Sequence, residues 1–570
     1  MLILWRNKMA TCNLAYALYE LAATQPDKMA LALPKEPGKP LPEKGPIPYR
    51  LINFKSLAEE TNFISQGLLS YGFKPGDRVV LMVPPGLDFF ALCFAFLQSG
   101  LIPVLIDPGI GIKHLKRCID EVEPMGFIGI TKAHVARVVF GWGKRTIKKK
   151  ITIGQKLFWG GGLLKKIKAA GKPGLPPACI DVKPDDLAAI LFTSGSTGVP
   201  KGVMYTHGNF LHQVEIIRNT FDVRPGEIDL PTFPPFALFN PSAGMSTVIP
   251  DMDPTRPAHV DPERIIRVVQ QFEVNSMFGS PSLIDRVGRY GMAKDIKLPG
   301  LKRVFSAGAP VPAKVLKRFS SLLNPLTPIF TPYGSTEAMP VAAISSYQVL
   351  SDEIQQRTNS GAGICIGKPV ETVQVKIIRI TDEPVEIWSN DLEMDIGVVG
   401  EIVVKGKNVT RAYFNRDGAT RLAKIKDSDG FWHRMGDLAY KDAEGNLWFC
   451  GRKSHRLQLP SRELYSVQCE SVFNKHPQVY RTALVGAGDK AILCVELDKD
   501  IKSPNKEQVR KELLDWAQQN KMTQDIQTVL FHPSFPVDIR HNAKIFREKL
   551  AVWASKQLSG IRYRRLIHII

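Results

Sequence analysis

The chain has 570 residues and a mass of 63.4 kDa, which is more than one hydrophobic core usually serves, so we expect at least two domains. Its 44% hydrophobic residues, 23% charged residues and mean hydropathy of -0.08 argue against a disordered chain, a collagen-like protein and an integral membrane protein. The 75 Lys and Arg against 55 Asp and Glu give a net charge of +20, which indicates an anionic partner without identifying it.

The cysteines and the first residues of the chain bear on its compartment. Eight cysteines are scattered without a C-x-x-C pair, a pattern that predicts neither a zinc site nor a disulfide framework. The opening MLILWRNK holds an apolar run too short for a signal peptide, and no later stretch is long and apolar enough to span a bilayer. We therefore expect a cytoplasmic protein.

The first clear structural unit begins at Gly76. A β-branched run, a helical apolar stretch and a further apolar run at 102–106 predict a strand, a helix and a second strand. Short apolar runs at 127–130, 187–192 and 277–278, separated by helical patterns, predict a mostly parallel sheet covered by helices. Between Gly363 and Gly451, alternating runs such as VQVKIIRI and GEIVVKG predict smaller antiparallel sheets. We expect an α/β fold with a second domain after Arg452.

One segment differs from the rest in charge. Residues 131–172 contain twelve Lys or Arg and no Asp or Glu, together with Trp142, Phe158, Trp159 and three consecutive glycines. This mixture is typical of an anionic interface that accepts aromatic side chains, such as a membrane surface. A solvated basic insertion explains the composition equally well. Nucleic acid is not expected as a partner, because no recognisable nucleic-acid-binding fold signature is present.

A glycine-rich loop follows the predicted strand LAAILF. It reads TSGSTGVPKG over residues 193–202, where glycines allow backbone N–H groups to approach an anion, hydroxyls add donors and Lys201 adds a positive charge. The spacing differs from that of a Walker loop. Because glycine and serine also cluster in ordinary surface turns, this loop alone does not distinguish a phosphate site from a flexible turn.

Four segments in order extend this observation over nearly the whole chain. TSGSTGVPKG, YGSTE at 333–337, RMGDLAYKDAEGNLWFCGR and NAKIFR resemble the motifs of the adenylate-forming (AMP-binding) superfamily of acyl-CoA synthetases, luciferases and peptide-synthetase adenylation domains. The resemblance implies ATP and Mg²⁺ as cofactors. It also implies a large multi-sheet N-terminal domain, residues 1–452, and a smaller α+β C-terminal lid domain, residues 453–570.

The resemblance further implies roles for individual residues. A first group would hold the β- and γ-phosphates: Thr193, Ser194, Ser196, Thr197 and Lys201. Tyr333 would lie against adenine near Gly308 and Ala309, Thr336 would touch phosphate, and Glu337 would help to hold Mg²⁺. Asp437 would accept the ribose hydroxyls beside Arg452, and Lys544 would reach the substrate carboxylate and the α-phosphate.

Three departures from the superfamily pattern bear on the acyl acceptor. Ser461 replaces the glycine that leaves room for pantetheine in CoA-using members, while Pro460 stiffens the approach and Ser454 replaces the usual hinge acid. Ala543 stands where a glycine precedes the catalytic lysine. Ala237, in FPPFALFNP, stands where a histidine is common and leaves more apolar space. Each change alone is consistent with drift in a loop.

Together with the basic segment, these departures most closely resemble the bacterial olefin-biosynthesis β-lactone synthetases. That resemblance implies a long-chain 2-alkyl-3-hydroxy fatty acid as substrate, whose 3-hydroxyl closes a β-lactone and expels AMP. It also implies a complex with the hydroxy-acid-forming reductase and the β-lactone decarboxylase. The base remains open, since His541 lies in the departing motif but a lone histidine is more often structural. The alternatives are a long-chain fatty-acyl-CoA synthetase and a non-catalytic lipid- or nucleotide-binding relative.

Overall fold

The computed structural model describes residues 12–192, 200–538 and 544–567. The strands are β1 Met29–Pro34, β2 Tyr49–Asn53, β3 Arg78–Met82, β4 Ile102–Leu105, β5 Gly126–Ile130, β6 Lys149–Ile153, β7 Gly162–Leu163, β8 Leu187–Phe192, β9 Gly202–Thr206, β10 Ile228–Pro231, β11 Ser246–Val248, β12 Ser276–Phe278, β13 Arg303–Phe305, β14 Ile329–Ser335, β15 Ala338–Ser345, β16 Ile364–Pro369, β17 Gln374–Ile378, β18 Gly400–Lys405, β19 Lys424–Asp427, β20 Gly430–Lys441, β21 Leu447–Arg452, β22 Leu457–Gln458, β23 Glu463–Leu464, β24 Val479–Ala487, β25 Lys490–Leu497 and β26 Thr528–Phe531.

The α-helices connect and cover these strands. They are α1 Ala15–Thr24, α2 Phe54–Ser70, α3 Leu87–Ser99, α4 Ile112–Val122, α5 Thr131–Val139, α6 Leu164–Ala169, α7 His207–Thr220, α8 Asn240–Ala243, α9 Pro262–Gln271, α10 Pro281–Ala293, α11 Ala313–Ser320, α12 Ser346–Val349, α13 Asp352–Arg357, α14 Asp417–Ala423, α15 Ser466–Asn474, α16 Lys506–Gln519 and α17 Arg547–Ile567. None of the described helices is both long enough and apolar enough to cross a bilayer.

The first sheet has seven strands in the order β7-β6-β5-β3-β4-β8-β9. All its pairs are parallel except β8 with β9. Helix α3 is apolar on every side and is buried from Phe89 to its last residue, as such a composition requires. Gly100 ends that helix in the left-handed conformation at φ +68°, where a Cβ would lie 2.2 Å from Ile180 Cδ1. The core below the sheet is therefore closely packed.

The second sheet has fourteen strands and consists of a parallel part and an antiparallel part. From β1 through β11, β10, β12 and β13 to β14 its pairs are parallel, and from β14 through β15, β16, β21 and β20 to β18 and β17 they are antiparallel. Helix α9 covers the parallel part because its apolar residues, among them Ile265 and Val269, fall on one face. Asp261 caps its first turn by accepting the Glu263 N–H.

The predicted α/β class is confirmed, with two differences in arrangement. The apolar runs at 102–106, 127–130 and 187–192 form β4, β5 and β8 of the seven-stranded sheet, whereas the run at 277–278 lies in β12 of the larger one. The strands between Gly363 and Gly451 pair antiparallel as predicted, but the β15–β16 pair joins them to the fourteen-stranded sheet. A hydrophobic pattern predicts that a strand is buried but does not predict which other strand it pairs with, which explains both differences.

The basic segment at 131–172 is built into the seven-stranded sheet. Strand β6 pairs parallel with β5 and β7 pairs with β6, while α6 packs so closely on α2 that a Cβ on Gly67 would lie 2.0 Å from the Ile167 carbonyl oxygen. Trp142 and Trp159 are buried, at 3% and 6% exposure, so they are not available to a partner; Phe158 is 77% exposed. Of these three aromatic residues, Phe158 alone is therefore placed to meet a partner.

A smaller α+β unit follows Arg452. It contains the β22–β23 hairpin and the three-stranded sheet β24-β25-β26 with helices α15, α16 and α17. Its first residues are tied to the larger part of the chain, since Lys453 Nζ lies 3.1 Å from Glu401 Oε2 and Arg456 Nη2 lies 2.6 Å from Asp382 Oδ2. The larger and smaller parts of the predicted fold are both present.

Candidate active site

The candidate site residues lie on strands and turns of both sheets. Lys201 immediately precedes β9 of the seven-stranded sheet. In the larger sheet Ser335 pairs with Ala338, so Thr336 and Glu337 form the tight turn between β14 and β15. Strands β20 and β21 bring Asp437 directly opposite Arg452. Three distant segments of sequence thus supply one cluster of polar side chains.

Asp437 lies at the centre of one group of contacts. Its Oδ2 accepts a hydrogen bond from the Tyr333 hydroxyl at 2.6 Å, and its Oδ1 accepts one from Arg452 Nη1 at 2.8 Å. Burial raises the pKa of Tyr333, and the Asp437 charge raises it further, so the phenol stays protonated and donates. The Asp437 charge also raises the pKa of Arg452. The result is a fixed anion flanked by an aromatic ring and a guanidinium.

Glu337 is held by backbone and side-chain contacts together. Its carbonyl oxygen accepts from the Thr410 N–H at 2.9 Å and from Thr410 Oγ1 at 3.1 Å, and its Oε1 accepts from the Tyr413 hydroxyl at 2.7 Å. Tyr413 is itself fixed, because a β-bridge joins it to Val203 of β9. The second carboxylate oxygen of Glu337 remains for a further ligand.

Lys201 approaches the same carboxylate from the other sheet. Its Nζ lies 4.5 Å from the centre of the Tyr413 ring, a cation–π distance. Burial lowers the pKa of Lys201; the charges of Arg452 and Arg416 lower it further, and Glu337 raises it. A cation this poorly solvated is stabilised by any anion that enters the site.

A second lysine near the Glu337 carboxylate lies outside the sequence motifs. Lys424 donates from Nζ to the Thr410 carbonyl oxygen, and its Nζ lies 4.9 Å from the centre of the Phe431 ring. Burial lowers the pKa of Lys424 to about 7, although Glu337 acts in the opposite direction. The neighbouring His433 is neutral, since burial and the Lys424 charge hold its pKa well below the usual range. No local spacing in the sequence distinguishes Lys424 from a surface lysine.

Tyr413 was also missed, although a weak signal exists. It follows the GEIVVKG segment in the stretch RAYFNR, where an aromatic residue stands between two arginines. The second of these, Arg416, forms a bidentate ion pair with Glu121 at 2.9 and 2.6 Å. A cleft of about 530 Å³ beside this pair is lined by Lys113, Lys116, Arg117, Asp120, Glu121, Asn415 and Arg416.

An aromatic cluster adjoins the end of β10. The ring of Phe236 lies 5.0 Å from that of Phe233 and 4.9 Å from that of Phe278, and Ala237 in the same turn is 2% exposed. Asn240 anchors this turn by donating to Asp229 Oδ2 at 3.0 Å. Burial raises the pKa of Asp229 to about 6. The segment FPPFALFNP therefore offers an apolar wall, as its composition predicts.

The remaining predicted residues are placed unevenly. Gly308 and Ala309 follow β13, which is parallel to β14, so they leave the sheet at the same edge as Tyr333. The Thr336 carbonyl oxygen accepts from the Tyr205 hydroxyl, which orients the turn before Glu337. Outside the described residues lie Thr193, Ser194, Ser196, Thr197, His541 and Ala543.

Two predicted positions lie in the smaller C-terminal part. Lys544 stands just before α17, where its carbonyl oxygen accepts from the Asp538 N–H at 2.9 Å and the next residue, Ile545, forms a β-bridge with Val537. Ser461 is exposed at the tip of the β22–β23 hairpin, which the Leu459 N–H closes by donating to the Arg462 carbonyl at 2.9 Å. The roles assigned to both residues stay predictions.

The arrangement suits a polyanionic nucleotide. An acceptor pair at Asp437 fits ribose hydroxyls, the partly buried amines of Lys201 and Lys424 fit phosphate charge, and Glu337 offers one hard oxygen ligand. Among the described residues no group of three or more His, Cys, Asp or Glu side chains forms a metal cage. A Mg²⁺ ion held by one carboxylate and by substrate phosphates is compatible with this donor set.

Comparisons with known proteins agree with this geometry. The family model "AMP-binding enzyme" matches residues 18–414. Olefin beta-lactone synthetases from Xanthomonas campestris and Stenotrophomonas maltophilia are 45% and 44% identical to this chain, over 97% and 96% of it and 99% of each relative. The solved amide bond synthetase from Marinactinospora thermotolerans superposes with a TM-score of 0.77 at 18% identity, covering 95% of this chain and 99% of its own. The chain thus belongs to the AMP-binding enzyme family and is an ATP-using, AMP-forming ligase.

Proposed function

We propose that the protein activates the carboxylate of a long-chain 2-alkyl-3-hydroxy fatty acid as its adenylate and closes it to a β-lactone. Near-full-length similarity to two olefin beta-lactone synthetases is the observation that supports this most. The aromatic wall beside Ala237 and the serine at position 461 are consistent with a bulky apolar substrate and with no external thiol. The reaction would then serve hydrocarbon (olefin) biosynthesis.

The two steps balance without any further reactant. A carboxylate oxygen attacks the α-phosphorus of ATP and pyrophosphate leaves, which gives the carboxyl carbon a good leaving group. The oxygen of the 3-hydroxyl then attacks that carbon, the bond from the acyl carbon to the AMP oxygen breaks, and the hydroxyl proton is released. Proximity favours the second step, because effective molarities of about 10⁵–10⁸ M are reached when both groups belong to one well-oriented molecule.

The proposed residue roles are those that the resemblance to the superfamily implies, and the contacts described above are compatible with them. Asp437 binds the ribose hydroxyls beside Arg452, Tyr333 packs against the adenine near Gly308 and Ala309, and Lys201 neutralises phosphate charge together with Thr336 and the hydroxyls of residues 193–197. Mg²⁺, held by Glu337 and the phosphates, would supply charge neutralisation at the reacting phosphate. Lys424 adds a second buried amine beside Glu337.

Residues 453–570 are proposed to act as a mobile lid that delivers Lys544 to the carboxylate and the α-phosphate. Lys453 and Arg456, directly after Arg452, form ion pairs with the larger part of the chain. Rotation of the lid about the residues next to Arg452 would break these pairs and allow others to form. Loop or domain closure of this kind also excludes water, which protects an adenylate from hydrolysis.

The partners proposed for the enzyme are those that its similarity to the olefin beta-lactone synthetases implies. A hydroxy-acid-forming reductase would supply the 3-hydroxyl, and a decarboxylase that releases carbon dioxide from the lactone would consume the product. We propose that the protein works in the cytoplasm in a complex with these two enzymes, and that its basic insertion makes a peripheral membrane contact.

Asp437→Asn should weaken ATP binding by roughly 10- to 100-fold, since it removes a charge-assisted bond of about 1.5–3 kcal/mol and leaves Arg452 without its counter-ion. Tyr333→Phe keeps the ring and should cost only a few-fold. Titration calorimetry with MgATP measures both. Unchanged ATP affinity in Asp437→Asn would remove this residue from the nucleotide site.

Lys544→Ala should lower pyrophosphate release by about 10²-fold or more, because the cation would act on charge that develops in the transition state, while MgATP affinity changes little. Lys549→Ala is the matched control. Lys549 is an exposed lysine in the first turn of α17, and its Nζ lies over the Phe546 ring. Equal pyrophosphate release by the two variants would contradict the assignment.

Incubation with ATP, Mg²⁺ and a synthetic 2-alkyl-3-hydroxy fatty acid should yield the dehydrated lactone equally well with and without CoA. Mass spectrometry identifies the product. The matched 3-deoxy acid should stop at the acyl-adenylate, because it lacks the internal nucleophile. A CoA thioester that forms only when CoA is present would instead identify a fatty-acyl-CoA synthetase.

A further inference from the structure

Helix α5, in the basic insertion, is inverted in polarity. It buries the polar His134 and Arg137, at 0% and 8% exposure, and turns Val135, Val138 and Val139 to the outside, with Val139 69% exposed. The three valines are spaced i, i+3 and i+4, so they form one stripe. A helix on a protein surface normally shows the opposite arrangement, with its apolar stripe toward the core.

The inward polar residues have defined partners, which fixes the orientation of the helix. The His134 ring stacks on Trp159 at 5.2 Å, and its Nε2 lies 3.0 Å from the Ile151 carbonyl oxygen. Burial lowers the pKa of His134 to about 4, so the ring is neutral. Arg137 lies over the Phe127 ring at 5.8 Å. The valines are therefore turned outward by specific contacts on the opposite face of α5.

The exposed apolar surface continues beyond the helix. The loop after β6 lies along α5, because Thr131 Oγ1 donates to the Gln155 carbonyl at 2.7 Å and Trp159 stacks on the helix. This loop exposes Leu157 at 42% and Phe158 at 77%. The outer apolar face, as we name it, consists of Val135, Val138, Val139, Leu157 and Phe158.

The charges of the insertion that carries this face have one sign. The exposed cations of the insertion are Lys132, Lys144, Arg145, Lys148, Lys156, Lys165, Lys166 and Lys172. The insertion contains no acidic residue, and Asp120, which contacts it, is already engaged by the Gly143 N–H and by Lys116. Other lysines are used internally, since Lys168 pairs with Glu60 and Asp88.

We propose that the outer apolar face is a docking surface for an anionic lipid bilayer, with α5 lying flat at the headgroup level. Exposed apolar and aromatic side chains in an insertion rich in exposed lysines combine the two interactions that hold peripheral proteins on such membranes. A helix of nine residues is too short to span the bilayer, and the sheet beneath it is rigidly paired. This inference deepens the membrane contact proposed above and is independent of the lactone chemistry.

Cosedimentation of the full chain with vesicles tests the proposal. Vesicles of phosphatidylcholine with roughly 30% phosphatidylglycerol should pellet the protein at low ionic strength, and about 0.5 M salt should weaken binding several-fold. Pure phosphatidylcholine should bind it at least tenfold more weakly. A protein that stays in the supernatant with the anionic vesicles overturns the proposal.

Matched variants separate this face from general surface properties. Val139→Ser with Phe158→Ser, and separately Lys144→Gln with Lys148→Gln and Lys156→Gln, should each reduce vesicle binding about tenfold. The controls are Leu326→Ser, at an 87% exposed leucine elsewhere, and Lys499→Gln with Lys502→Gln and Lys511→Gln, at exposed lysines of the C-terminal part. Binding equal in the two sets would overturn the assignment of the face.

Two further measurements distinguish a loss of vesicle binding from misfolding of the variants and from a loss of enzyme activity. Thermal unfolding should show that the four variant sets keep the wild-type transition, since all the changed side chains are exposed. Lactone formation from detergent-dispersed substrate should be unchanged in these variants. A loss of vesicle binding with intact activity would show that the face serves membrane docking and not the reaction. Vesicle binding that survives the apolar substitutions but vanishes with the charge substitutions would show an electrostatic patch without insertion and would overturn the proposal.

Discussion

The short stretch of residues 409–414 is the constraint on which the rest of the site depends. It forms a β-bridge to Ala338 in the fourteen-stranded sheet through Val409 and another to Val203 in the seven-stranded sheet through Tyr413. Asn209, in the first turn of α7, holds the same stretch by donating to the Val409 carbonyl at 3.2 Å. The two sheets are thereby joined next to Lys201 and Glu337, which belong to different sheets. Without this junction, Lys201 and the turn that carries Glu337 would have no fixed relation.

The junction also sets the electrostatics. Two partly buried lysines lie near one glutamate, and desolvation lowers the pKa of both amines. When the site holds no anion, the positive charge in it is poorly solvated and lacks a full counter-charge. A bound polyanion supplies that counter-charge, so binding should stabilise the folded protein. Asp437 adds a negative charge beside Arg452 and, in the role proposed above, would accept the sugar hydroxyls. On that proposal the positive and negative parts of the site would match the two ends of a nucleotide.

The sequence predicts the strands and the ordered motifs well, because hydrophobic periodicity and glycine spacing are local properties. It does not predict that β12 and β8 lie in different sheets, since strand pairing depends on contacts between distant residues. Asp437, Arg452 and Tyr333 were found through motifs, whereas Tyr413 and Lys424 were missed because only the fold brings them to Glu337. In the basic insertion, composition is compatible with an anionic interface or a solvated segment, and it does not distinguish exposed from buried aromatic rings. Trp142 and Trp159 are core residues, and the inverted polarity of α5 is visible only in the burial of His134 and Arg137.

The central claim is that the carboxyl group is activated and that the hydroxyl oxygen of the same molecule attacks it. A substrate labelled with ¹⁸O in its 3-hydroxyl group tests this directly, with mass spectrometry of both the lactone and the AMP. The account predicts that the label is retained as the ring oxygen of the lactone and is absent from AMP, whereas label placed in the carboxylate is shared between the lactone carbonyl and AMP. Label from the 3-hydroxyl appearing in AMP would show that the hydroxyl is the activated group, and would contradict the account.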